Sequence, residues 1–183
     1  SHLYRGEIAF TALGGRLKII NELDVEEYLI SVVSGEAGEL SRPEAYKAQA
    51  VAARTYTLKN LNNHAKNGFH VCDSPHCQLY AGFDAISEKA KTAVELTRGE
   101  ILLYKGSPAS TFYHSICGGK TEAMAFVWPY GDKPYLISVK DGPQDRPYCS
   151  IAPAFKWKTK IYFKALTRIA RASRWIKPDE EAR

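Results

Sequence analysis

Apolar and polar residues alternate from Glu7 to Ala12 and again from Arg16 to Ile20, which predicts two short strands. Gly14-Gly15 between them is a hairpin turn signal. The spacing then changes. Val25, Tyr28, Leu29 and Val32 recur at helical intervals behind Asp24, an N-cap residue with Glu27 three positions on, a capping-box pattern. Ser34-Gly35 is read as the end of that helix. A second capping box, Ser41-Arg-Pro-Glu44, opens the longest predicted helix, Ala45 to Leu61. Alanines at 45, 48, 50, 52 and 53 imply a central helix packed closely on several sides. Lys47, Gln49, Arg54 and Tyr56 interrupt it. Lys47 and Arg54 share one face, as do Gln49 and Tyr56. Polar groups so placed either line a site or face water.

Asn62 to Asp84 reads as a loop rich in Asn, Gly, His and Cys. Ser87 to Thr97 reads as a helix, Glu100 to Tyr104 as a strand, and Lys105 to Pro108 as a turn. Ala109 to His114, Leu136 to Val139 and Lys156 to Phe163 are the remaining predicted strands. Ala165 to Ala172 reads as helical, followed by a polar tail. Scattered strands around one central Ala-rich helix predict an α+β fold, with residues 1–183 as a single domain.

Composition narrows the class. With 45% hydrophobic and 25% charged residues the chain is that of a globular protein. No apolar run approaches the roughly 18 residues of a membrane helix. No signal sequence is visible in this chain. Twenty-five Lys and Arg against 20 Asp and Glu give a net charge of +5, which favours anionic partners without selecting one. The basic concentration from Lys156 to Lys177 reads as a solvated face. No nucleic-acid-binding motif is present.

Four cysteines, Cys72, Cys77, Cys117 and Cys149, permit disulfides in an oxidising compartment or a metal site. Cys72 and Cys77 have His70 and His76 beside them. That spacing is near a zinc pattern but lacks a second clear pair, and a small disulfide-closed loop reads equally well. A serine nucleophile elbow, a P-loop and the His-Glu-x-x-His zinc motif are all missing from the sequence. Cys117 and His114 make a poor nucleophile–base pair on one strand end. Glu36 stands between Gly35 and Ala37, where a close approach of substrate to backbone is possible.

The run Tyr28-Leu-Ile-Ser-Val-Val-Ser-Gly-Glu36, followed by Glu44-Ala-Tyr-Lys-Ala-Gln-Ala-Val-Ala-Ala-Arg-Thr-Tyr56, resembles the signature of the stage II sporulation protein D family. Cys72 to Tyr80, Ala93 to Leu103 and Phe112 to Glu122 resemble its later blocks, and Trp128 with Pro134 to Val139 closes the pattern. The resemblance runs from about residue 20 to residue 160. It departs at Ala37-Gly38, where the family has Met-Pro, and at Tyr46, where it has Leu.

The resemblance implies an extracytoplasmic domain that acts on peptidoglycan glycan strands. One family activity is lytic transglycosylation of strands free of stem peptides. The other is wall binding that stimulates a separate N-acetylmuramoyl-L-alanine amidase. The family's catalytic glutamate falls on Glu36. A single carboxyl group suffices for a transglycosylase, because the sugar's own 6-hydroxyl is the nucleophile and no second carboxylate is needed. That carboxyl must carry a proton at the outset, and the apolar run Ile30 to Val33 would favour its neutral form. Glu39 is read as solvent-facing. Lys47, Gln49, Arg54, Tyr56, Gln78, Tyr80, His114, Ser115 and Thr121 become the candidate groove residues. Cations suit the muramyl carboxylate, and amide, hydroxyl and aromatic groups suit the sugars. No cofactor is required for that chemistry. Some family members bind a metal near the cysteine loop, which implies His70, Cys72 and Cys77 as possible zinc ligands. A Cys72–Cys77 disulfide is the alternative, preferred for an exported protein. In an exported setting Cys117 and Cys149 are a further disulfide candidate, worth about 3–4 kcal/mol in the chain-entropy treatment.

Overall fold

The computed structural model describes residues 2–38, 40, 42–128, 133–143 and 145–173. Glu39, Ser41 and the polar tail from residue 174, on which sequence expectations were placed, lie outside the described residues. The fold is α+β, and the chain divides into two compact units, Ser1–Tyr113 and His114–Arg183.

The first unit opens with a hairpin of β1 (Glu7–Leu13) and β2 (Arg16–Glu22), paired antiparallel. Gly14 and Gly15 both have positive φ, the twist that a two-residue hairpin turn requires. Helix α1 (Val25–Ala37) starts on Asp24, whose carboxylate accepts the Glu26 N–H at 2.8 Å. The capping box is not completed, because Glu27 pairs with Arg5 at 2.7 Å. Helix α1 also runs past Ser34-Gly35. The Ser34 hydroxyl turns back onto the Ile30 carbonyl at 2.7 Å, and the helix stops at Gly38, with φ of 53°. Glu36 therefore sits in the last turn of a helix and not in a linker.

Helix α2 (Pro43–Lys59) begins with proline in its first turn, and Arg42 before it offers no side-chain cap. Its buried positions include Tyr46, Ala50, Ala53, Arg54 and Thr57, one stripe at helical spacing. Ala48 is exposed, so α2 keeps one side open to solvent. Ser87 caps α3 (Glu88–Leu96), accepting the Ala90 N–H at 3.4 Å. Leu29, Val32 and Val33 of α1, Ala50 and Ala53 of α2, and Ala90, Ala93 and Val94 of α3 form the core. A minimal ladder of β3 (Leu103–Tyr104) and β4 (Ser107–Pro108) follows.

Three of the expected strands are not formed. Ala109 to His114 forms no strand, although Thr111 anchors it by donating to the Ala52 carbonyl at 2.9 Å. In the second unit, Leu136 to Val139 meets residues 121–124 through Thr121 N–H to Val139 O at 2.8 Å and Met124 N–H to Leu136 O at 3.0 Å, without a continuous ladder. Lys156 to Tyr162 is irregular and leads into α5 (Phe163–Ala172), after the short α4 (Met124–Val127). Lys120 and Lys140 form an isolated antiparallel bridge. No helix among the described residues is long and apolar enough to cross a membrane.

Candidate functional site

Four consecutive residues, Cys77 to Tyr80, organise the site in the first unit. Gln78 is wholly buried. Its amide nitrogen donates to the Ala53 carbonyl at 3.3 Å and the Tyr113 hydroxyl at 3.0 Å. Its carbonyl oxygen accepts from Thr57 at 2.8 Å and Tyr28 at 3.4 Å. That uses the full donor and acceptor capacity of an amide, which is what burial of one demands. Gln78 is thus an internal anchor and not a groove residue as expected from sequence. Leu79 comes next, and its N–H donates to Glu36 Oε1 at 2.8 Å. A Cβ on Gly35 would stand 3.3 Å from the Leu79 side chain, so the glycine lets α1 approach this segment closely. Tyr80 stacks on Tyr28 with ring centroids 5.3 Å apart and donates to Asn21 at 2.5 Å. Burial, then the nearby Tyr4 and Glu27, push its phenol up to about 12.

Glu36 is half-buried at the end of α1. Its other carboxylate oxygen has no protein partner among the described residues. Tyr113 lies close enough that the Glu36 charge, after burial, helps hold its phenol above the ordinary range. Burial likewise raises Tyr28 and Tyr56, with Cys77 and Cys72 adding to the effect on Tyr56. The result is a carboxylate with one fixed and one accessible oxygen, beside a neutral phenol that Gln78 orients. Tyr113 and the Leu79 amide had been missed. The Phe112-Tyr-His block pointed to the neighbourhood, but nothing in it singled out Tyr113.

Arg54 also departs from expectation. It is 1% exposed and doubly bonded to Glu26, at 2.9 Å from Nε and 2.7 Å from Nη2. It further donates to the carbonyls of Val94 at 3.2 Å and Glu100 at 3.1 Å. A planar fork fits a buried carboxylate in this way, so Arg54 ties α1, α2 and the end of α3 together and faces no groove. Lys47, two turns earlier, is paired with Glu44 at 2.9 Å. It lines a hollow of about 240 Å³ with Pro43, Glu88, Lys89, Thr92 and Leu96, and Glu36 is not among its walls. Gln49 is half-buried, and its amide nitrogen is enclosed without a partner.

The cysteine loop gathers four side chains. His64, Cys72, His76 and Cys77 place one ligand atom each within 4.8 Å of all the others. His64 Nε2 is 3.3 Å from Cys77 Sγ, and His76 Nδ1 is 3.6 Å from both sulfurs. Tetrahedral bonds of 2.0–2.3 Å to nitrogen and sulfur require edges of about 3.3–3.8 Å. His70 is not in the cluster. Its ring is exposed, and it enters the loop through its carbonyl, which accepts the His64 N–H at 3.3 Å. That bond folds residues 64–70 back on themselves and delivers His64, the ligand the short Cys-His stretch did not reveal. Burial opposes ionisation of Cys72, but hydrogen bonds from Ser74 and His76 outweigh it and hold the thiol at about 6. Burial and the adjacent Cys72 sulfur push Cys77 up.

In the second unit His114 and Ser115 are exposed. The Thr121 hydroxyl is engaged with the backbone of Val139, accepting its N–H at 2.8 Å.

The first unit thus carries a helix-end carboxylate backed by a loop amide and phenols, together with a compact Cys-His cluster. Residues 14–104 match the family described as stage II sporulation protein. Stage II sporulation protein D of Bacillus subtilis is 32% identical over 161 residues, covering 80% of this chain and 45% of that protein. An amidase enhancer of the same organism is 45% identical over 98 residues, covering 54% of this chain and 13% of the relative. An uncharacterized protein of Brachyspira hyodysenteriae is 36% identical over 137 residues, covering 74% and 37%. The chain belongs to the stage II sporulation protein D family. It spans less than half the length of each of these relatives.

Proposed function

We propose that this chain is a peptidoglycan-processing domain of the cell envelope, working outside the cytoplasm as a lytic transglycosylase with Glu36 as its acid and base. The observation that carries the reading is Glu36 itself, with one oxygen held by the Leu79 amide and the other accessible, in a chain of this family. Glu36 donates a proton to the glycosidic oxygen as the bond to the muramyl C1 breaks. The 6-hydroxyl of the same sugar attacks C1, and Glu36 then takes its proton. The 1,6-anhydro ring forms without consuming water, and the carboxyl returns protonated. The Leu79 amide keeps the carboxylate in place through both transfers, and Tyr113 supplies a neutral hydroxyl beside it.

The identity to a protein named amidase enhancer favours a second reading, in which the domain binds wall and stimulates a separate amidase. Stem-free glycan strands digested by the protein and by Glu36→Gln separate the two. Anhydro-muramyl products from the parent that fall by about 10²–10⁴ in the variant, with an unchanged melting temperature, support the enzyme. Stem-free strands that are bound but left intact, together with faster turnover of stem-bearing peptidoglycan by an added amidase, support the second reading.

We read His64, Cys72, His76 and Cys77 as suiting a zinc ion better than a Cys72–Cys77 disulfide, because the two imidazoles would complete a four-ligand set with the sulfurs. Zinc with four protein ligands keeps no open position and contributes folding free energy to the loop, not bond chemistry. Metal analysis of the purified protein should give one equivalent of zinc, with both thiols titratable after denaturation in chelator. Neither metal nor free thiols at Cys72 and Cys77 would restore the disulfide.

A further inference from the structure

Cys117 and Cys149 are 32 positions apart in sequence, yet their sulfurs lie 3.6 Å apart within the second unit. The backbone around them is already in register. The Asp141 N–H donates to the Gly119 carbonyl at 3.0 Å, and the Tyr148 N–H donates to the Asp141 carbonyl at 2.9 Å. The Cys149 N–H donates to Asp141 Oδ2 at 2.9 Å. The segments carrying the two thiols are therefore aligned by bonds that do not involve sulfur. A disulfide needs the sulfurs to close by roughly 1.5 Å, within reach of rotation about the two side chains.

Cys117, Asp141 and Cys149 also bring their ligand atoms within 4.8 Å of one another, so a metal is the competing reading. It is the weaker one. The cluster has two sulfurs and one carboxylate and no imidazole, where a closed zinc site takes four ligands. Asp141 accepts the Cys149 N–H on one carboxylate oxygen and also faces both thiols, so it supplies at most a third ligand. The contrast with the four-ligand cluster in the first unit is chemical as well as numerical.

We infer that Cys117 and Cys149 form a disulfide that pins the segment bearing His114, Ser115 and Thr121 to residues 139–149. The bond forms by exchange with an oxidised disulfide, such as that of glutathione or of a dithiol oxidoreductase. One cysteine thiolate attacks a sulfur of that disulfide and releases a thiol. The second cysteine thiolate then displaces the mixed disulfide. Two thiol protons and two electrons leave the protein, and the co-reactant ends as two thiols.

The test uses the full chain equilibrated in oxidised and reduced glutathione, alkylated without reduction and digested. A peptide pair joined through Cys117 and Cys149, lighter by two hydrogens than the separate thiols, is the expected result. Cys149→Ser should then speed amide exchange in residues 115–122 and 139–150 by on the order of 100-fold, leaving α2 unchanged. Two alkylated thiols, a bridge from Cys117 to Cys72 or Cys77, or a second zinc equivalent lost in Cys149→Ser would each overturn the disulfide. A bridge whose removal leaves those exchange rates unaltered would overturn its positioning role.

Discussion

The two units are held by different means. In the first, α1, α2 and α3 bury Leu29, Val32, Val33, Ala50, Ala53 and Ala90 without exposure, and the Arg54–Glu26 pair is sealed among them. In the second, among the described residues, burial reaches only Met124 and Ala170, while Ile151, Phe126 and Tyr162 are largely exposed. The second unit relies instead on scattered backbone bridges and the thiol pair. Burial positions many atoms at once and tolerates no missing partner. A crosslink positions one point and leaves the rest to local hydrogen bonds. The candidate carboxylate belongs to the first regime, where a loop amide can be held in place by packing far from it.

Removing Arg54 should have the largest effect on this contrast. Arg54→Ala leaves Glu26 buried without its counter-charge, and should cost about 3–5 kcal/mol in urea unfolding. Exchange protection should fall throughout α1 to α3, while residues 139–149 keep theirs. Weakened glycan binding at unchanged stability would instead return Arg54 to the groove. Cys149→Ser should do the converse at smaller cost, up to about 3–4 kcal/mol confined to the second unit. A loss of protection in α2 would show that the two regimes are not separable. Lys47→Ala should do least. Its pair with Glu44 is exposed and worth about 0–1 kcal/mol, so thermal stability should stay within error. A drop in glycan affinity that salt mimics would mark Lys47 as a substrate contact.

Much of the first unit was legible because local and global preferences agree there. The Gly-Gly hairpin, the Asp24 cap and the stripe through Val25, Tyr28, Leu29 and Val32 each have a short-range cause. The later strands were not legible, since a β-rich run such as Leu136 to Val139 becomes a strand only if a neighbour completes its ladder. Arg54 and Gln78 were misplaced for a related reason. A polar residue on a helix or in a loop reads as surface until its buried partners are known, and Glu26 is 28 positions from Arg54. Glu36 was found through the family resemblance, whereas its Leu79 partner, 43 positions on, belongs to the tertiary fold. His64 was passed over because its return to the cysteines depends on a turn closed by the His70 carbonyl.

On the zinc proposal, the run from Cys77 to Leu79 would tie the Cys-His cluster to the segment that holds Glu36. The side chain of Cys77 belongs to the Cys-His cluster, and the amide two residues on holds Glu36. Two peptide units span at most about 7 Å, so the cluster and the amide stay close neighbours. A chain without that ion would keep Glu36 on its helix and Gln78 on its four partners, and would lose only the anchor on the sulfur side of the run.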